Sequence, residues 1–301
     1  MSHRSTTLKK LRQGTTETAC ALLCLAGPSV IANGLSQTLL SGEAWMDARN
    51  GLRILALLLG YVLWVRWRER RPVHELGLTD AARETGLGLL IGGLMVALGV
   101  GAMAWGGAYQ VLAVNGPGHA VALLPLVISL AALEEILFRL IVLRLMERWL
   151  GTGWGLFISS LLFGLAHLGM GPATVASTLL LGLEGGLLFG AAYLLTRRLW
   201  LCLGLHIGWN FVQMGVFSAD ATLALKRVGW LQASIDGPAW LTGGVHGMEA
   251  SVPAALLCLS VGAALLTLAI RRGQWQPRAA RGSAHPAALA ADPASLARGP
   301  N

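Results

Sequence analysis

Charge is scarce in this sequence. Asp, Glu, Lys and Arg make up 13% of 301 residues against 54% hydrophobic, and the mean hydropathy is +0.61. Soluble domains carry roughly a quarter of their residues charged. The balance therefore excludes an ordinary water-soluble fold and points to a chain whose solvent is lipid. Cysteine is sparse as well: Cys20, Cys24, Cys202 and Cys258 each lie in an apolar segment with no metal-type spacing, and are expected as small core residues. No internal repeat is visible, which sets aside solenoids. The net charge of +8 is not a nucleic-acid footprint, because most Lys and Arg stand in the tails and in alternate connections between apolar segments.

What the sequence does have is long apolar runs. They fall at about 18–41, 51–66, 84–106, 120–147, 153–169, 172–195, 199–217 and 251–270, most of them near the ~20 residues a spanning helix needs. The expected fold is all-α: a polytopic membrane helical bundle of about eight transmembrane helices, forming one integral membrane domain over 18–272. Residues 1–17, with Arg4, Lys9, Lys10 and Arg12, read as a basic cytoplasmic tail ahead of a signal anchor. The tail 273–301, rich in Ala, Pro, Gly and Arg, reads as disordered. Gly182, Gly186 and Gly190 stand at the small-xxx-small spacing of closely packed helices.

Basic residues mark alternate connections. Arg66, Arg68, Arg70, Arg71 and Arg83, then Arg144 and Arg148, then Arg197 and Arg198, then Arg271 and Arg272 would lie on one side, while loops 42–50, 107–119 and 168–171 hold almost no Lys or Arg. The positive-inside rule places both termini in the cytoplasm, and the composition suggests a bacterial inner membrane. The long connection 218–250 breaks the bias with Lys226 and Arg227. Its Trp230 and Trp240 suit a segment lying at the interface.

One stretch contradicts its surroundings. Glu134, Glu135 and Arg139 sit inside LLPLVISLAALEEILFRLIVL, where each charge opposes burial near mid-membrane by about 2.5–3.5 kcal/mol. Glu135 and Arg139 are four apart on one helix face and can neutralise each other. Glu134 points about 100° away and is left over. Three more polar residues interrupt apolar helices: His167 ends FISSLLFGLAHL, and His206 and Asn210 lie one turn apart in CLGLHIGWNFV. At 1.5 Å per residue all four reach similar depths, about 12–22 Å above the basic ends of their helices.

Such a cluster is what intramembrane peptide hydrolysis needs. A carboxylate must deprotonate water, and the oxyanion of the tetrahedral intermediate needs donors. Glu134 fits the base, His167 can orient the water or shuttle its proton, and His206 with Asn210 can donate to the oxyanion. A zinc ion held by His167, His206 and a carboxylate is compatible with the same spacing. Taken singly, each histidine would read as helix packing and Asn210 as interhelical glue. Shared depth, order and chemistry favour a site.

The motifs Glu134-Glu135-x-x-x-Arg139, Phe163-x-x-x-His167 and His206-x-x-x-Asn210, with Gly190-Ala191-Ala192-Tyr193 and Thr196-Arg197-Arg198-Leu199-Trp200 between the last two, resemble the CAAX prenyl protease and bacteriocin-processing family of intramembrane proteases. The resemblance covers about 120–215, the core of the domain. It implies a glutamate-type endopeptidase in which Glu134 activates water with His167, His206 and Asn210 form the oxyanion site, and Glu135 and Arg139 support them. No cofactor is implied, with zinc the alternative. The implied partners are the lipid bilayer and a membrane protein or peptide substrate, and no nucleic acid.

Two other functions fit a charged membrane interior: a transporter or proton pathway, and a non-catalytic immunity or scaffold protein of the same fold. Paired broken helices in two related halves would mark a transporter, and none are apparent. Glu184, mid-span between glycines, lies outside the three motifs and reads as a structural carboxylate or part of a substrate path. His246 and Glu249, in the Gly-rich stretch 241–249, read as solvated.

Overall fold

The computed structural model describes residues 46–168, 174–219 and 229–277, with a few isolated positions between 16 and 34. The basic tail 1–17, the first expected span, Lys226, Arg227 and the chain beyond 277 lie wholly or almost wholly outside the described residues.

Among the described residues, seven apolar helices follow one another where the apolar runs predict them. They are α1 (Met46–Leu63), α2 (Ala81–Trp105), α3 (Pro117–Leu150), α4 (Thr152–Ala166), α5 (Val175–Thr196), α6 (Leu199–Val216) and α7 (Val252–Arg271). Six are long and apolar enough to cross a membrane, α1 together with its continuation to Glu69. The exception is α4, whose 15 residues reach only Ala166 rather than the expected 169. The protein is a multi-pass membrane helical bundle. Leucines on its outer faces, such as Leu55, Leu59, Leu90, Leu94, Leu98 and Leu256, are exposed. In a bilayer they would meet acyl chains.

Glycine sets how closely the helices approach. A Cβ at Gly92 of α2 would lie 2.1 Å from the Leu205 carbonyl oxygen of α6, and one at Gly208 of α6 would lie 2.4 Å from the Leu89 carbonyl oxygen of α2. Between α4 and α5 the same holds for Gly164, 2.4 Å from the Thr178 oxygen, and Gly182, 2.7 Å from the Ser160 oxygen. Lipid tails are as apolar as leucine, so burial does little to drive helices together there; close van der Waals packing does.

Two helices widen where they carry polar residues. In α3 the α-helical run Leu124–Glu135 gives way to π-helix over Ile136–Leu143 before Arg144–Leu150 resumes, and in α6 the run Leu199–Asn210 passes into π-helix over Phe211–Val216. A further π turn, Trp64–Glu69, ends the first described helix. Widened turns of this kind collect at functional sites because they re-aim side chains within a continuous rod.

One rim of the bundle is tied by ion pairs. Glu69 accepts from Arg71 at 2.7 Å, from both terminal nitrogens of Arg144 at 2.8 Å and from Arg148 at 3.2 Å, while Glu75 accepts from Arg71 at 2.7 Å. Arg198 bridges to Glu84 and Asp80, and Arg197 to Glu147. The charges that bias topology thus also bind neighbouring helices together. Beyond α7 the first residues of the expected tail also make contacts: Gln276 exchanges two hydrogen bonds with Thr152, of 2.9 and 2.8 Å, and Arg197 donates to the Gln274 side chain at 3.0 Å.

The opposite end carries the one departure from an all-helical pattern among the described residues. Strand β1 (Tyr109–Val114) pairs antiparallel with β2 (Leu231–Ile235), bulging between Val111 and Ala113. Two connections expected as loops are therefore stitched to each other. Cys202 and Cys258 are buried and free as expected, whereas Cys20 is exposed.

Candidate active site

The first motif sits where α3 begins to widen. Glu135 and Arg139 are fully buried, with the Arg139 Nε 3.2 Å from Glu135 Oε2. The pair is electrostatic rather than a hydrogen bond, since neither atom finds an aligned partner. Arg139 is held by other means: it donates to the Gly185 carbonyl at 2.7 Å, and its guanidinium lies over the rings of Phe163 and Phe189, 4.7 and 5.2 Å from their centroids. An aromatic face is a fair partner for a cation that has lost water.

Glu135 has a second engagement that the spacing of the sequence did not reveal. Its Oε1 lies 2.8 Å from the Nδ1 of His206, in α6. A carboxylate only accepts, so Nδ1 carries the proton and the Nε2 edge of His206 is turned the other way. The Phe189 ring stacks on the imidazole at 4.3 Å and 10°, fixing its plane.

Glu134 occupies the space that edge faces. His206 Nε2 is 3.8 Å from Glu134 Oε2, and His167 Nε2 is 4.0 Å from Glu134 Oε1. His167 is fixed in the same sense: its Nδ1 lies 2.8 Å from the Phe163 carbonyl of the preceding turn, so that nitrogen is the donor and Nε2 is free toward Glu134. Both gaps exceed hydrogen-bond length, and a water oxygen set off the line between the atoms can bond to either histidine and to the carboxylate. Glu134 and His167 keep 19% and 22% of their side-chain surface, whereas Glu135 is at 0% and His206 at 6%. The accessible pair can meet water or substrate. The buried pair supports it.

The structure thus brings Glu134, His167 and His206 together, with Glu135 and Arg139 behind them. Asn210 lies one turn beyond His206, half-buried at the end of the α-helical part of α6, and makes no hydrogen bond with Glu134, His167 or His206. Glu184 is buried on α5 with its Oε1 unpartnered, and Glu249 is among the charges it senses. His246 and Glu249, expected as solvated, are both partly exposed.

A zinc ion is the alternative that the spacing allows. No group of three or more His, Cys, Asp or Glu among the described residues is arranged to hold one. Each imidazole offers a single nitrogen, Nε2, with Nδ1 held by the Phe163 carbonyl in His167 and by Glu135 in His206, and the two Nε2 atoms stand 4.0 and 3.8 Å from different oxygens of Glu134.

Residues 116–212 match a family model described as Rce1-like, type II CAAX prenyl endopeptidase. The matched stretch contains all three motifs. No curated protein and no solved structure matches the chain.

Proposed function

We propose that this chain, recognised over residues 116–212 as Rce1-like and consistent with the CAAX protease and bacteriocin-processing family, is an intramembrane endopeptidase that cuts a membrane-associated or lipidated protein or peptide. The observation that carries the reading is the convergence of the Nε2 atoms of His167 and His206 on Glu134.

In this reading Glu134 takes a proton from a water held with His167. The water oxygen forms a bond to the scissile carbonyl carbon, and the π electron pair moves onto the carbonyl oxygen. His206 and Asn210 donate to that oxyanion. As the intermediate collapses the C–N bond breaks, and the proton held by Glu134 passes to the departing amine nitrogen, so the residue returns to its starting state. General base catalysis contributes roughly 10²–10⁴-fold and an oxyanion donor about 10²–10³-fold. No step uses a metal. The ion-paired rim lies on the cytoplasmic side by the positive-inside rule, which puts the sheet on the opposite face, in a bacterial inner membrane.

Comparative membrane proteomics of wild-type cells and a Glu134→Gln strain tests the assignment. An uncut precursor should accumulate in the mutant. Full processing by a well-expressed Gln variant would refute the base.

A further inference from the structure

The gap between Glu134 and His167 depends on how α4 is offset along α3, because Glu134 stands within one helix and His167 follows the end of the other. The two helices run antiparallel from the turn at Gly151 and keep one register. Gly155 lies against the backbone of Glu147, Phe163 against Phe138, and His167 against Glu134. Gly155, Ser159, Phe163 and His167 are each four apart, so they form a single stripe of α4, and that stripe is turned to α3. Ser159 is the member of the stripe that no motif contains.

The other flank of α4 is smooth. Gly164 meets the Thr178 carbonyl of α5, and Ser160 lies against Gly186. Small residues let helices approach closely, but such a surface has few side chains to interlock and does not fix the offset. A directional bond between helices does fix it. Ser159 supplies one: its buried hydroxyl donates to the Phe138 carbonyl of α3 at 2.8 Å. A serine inside a helix can instead satisfy its hydroxyl on the carbonyl four residues back in its own helix. Here it reaches across. The acceptor lies in the π-helical stretch Ile136–Leu143, where Arg144 likewise donates its Nε–H to the Leu140 carbonyl at 2.7 Å. Phe138 is one turn from Glu134, and its ring packs edge-on to Phe163 at 5.2 Å. The Phe163 carbonyl in turn holds His167. An unbroken series of contacts thus joins Glu134 to His167 by way of Phe138, Ser159 and Phe163.

Resting on the endopeptidase reading, we propose that Ser159 is a positioning residue: its hydroxyl locks α4 to the widened part of α3 and so sets the gap in which Glu134 and His167 hold water. Ser159 itself touches no reacting atom. A slide of α4 by one residue, about 1.5 Å, would carry the hydroxyl off the Phe138 carbonyl and alter the 4.0 Å separation of Glu134 and His167. Misplacement by about 1 Å can cost roughly 10²-fold in rate.

The offset can be measured without substrate. Spin labels at Ile128 of α3 and Phe157 of α4, both exposed on the outside of the bundle, report it in lipid nanodiscs by double electron–electron resonance. Cys20 and Cys24 are replaced by Ser, and the buried Cys202 and Cys258 stay. Wild type and Ser160→Ala should give the same narrow distance distribution. Ser159→Ala should shift or broaden it at an unchanged size-exclusion profile, and a trace superimposable on wild type would overturn the proposal. The second readout is cleavage of the precursor that accumulates in the Glu134→Gln strain. Ser159→Ala should lower kcat about 10- to 100-fold and leave KM within about twofold. Ser159→Cys, which keeps the volume and a weaker donor, should recover part of the rate. A raised KM at unchanged kcat, or equal rates for the Ala and Cys variants, would also overturn it. If no precursor accumulates, or Glu134→Gln still cleaves, the endopeptidase reading fails, and the distances still decide whether Ser159 sets the offset.

Discussion

The ring of Phe189 lies flat against the imidazole of His206, 4.3 Å away and within 10° of parallel, so a residue outside the three motifs sets the plane of one inside them. Stacked pairs are worth about 0.5–1.5 kcal/mol beyond their burial. Phe189→Leu keeps an apolar side chain but gives up the stack and a face for Arg139. Precursor cleavage should slow up to about tenfold at normal expression, and a variant as fast as wild type would show that Glu135 alone orients the ring.

Arg139 is the counterion of a carboxylate with no exposed surface. Removing one partner of a buried pair costs about 3–5 kcal/mol, whereas replacing both by well-packed neutral groups is often tolerated. Arg139→Met should therefore lose most of the monodisperse protein on size-exclusion chromatography. Adding Glu135→Gln should restore the yield but not the activity. Equal yields for the single and double variants would mean the pair is not coupled.

The approach of α2 to α6 leaves no room for a methyl group. Gly92→Ala drives a Cβ onto the backbone of Leu205, next to His206, where nothing flexible can yield. The expected result is a lower thermal midpoint and loss of cleavage together. The control is Gly101→Ala, whose Cβ would meet nothing within 4 Å and which should change neither.

Because the proposed reaction activates water with Glu134 and uses no metal, 1,10-phenanthroline should leave cleavage in washed membranes unchanged. Reversible inhibition, restored by added zinc, would instead make the Nε2 atoms of His167 and His206 metal ligands.

Much of this was readable in the residues because lipid allows few options. A run of about twenty apolar residues has to satisfy its own backbone, so helix positions followed from hydropathy alone. The three polar interruptions were legible for the same reason, as charges that composition could not excuse. What stayed hidden were relations across the chain. Glu135 could be paired with Arg139 from a spacing of four, but its bond to His206 joins residues 71 apart and depends on the placement of α6. The π turns after Glu135 and Asn210 leave no mark in hydropathy. The pairing of β1 with β2 joins two short segments that read as connections between spans, and the anchoring of Gln274 and Gln276 depends on partners at Arg197 and Thr152.

The brevity of α4 bears on the second reactant of any hydrolysis. Fifteen residues reach about 22 Å, some 8 Å less than the hydrocarbon thickness of a typical bilayer. His167 follows directly at the helix end, so where the bilayer thins to match α4 the imidazole lies at the bottom of the dip. Such a dimple would carry bulk solvent down to the carboxylate of Glu134, and each turnover could draw its replacement molecule from the aqueous phase without a dedicated channel.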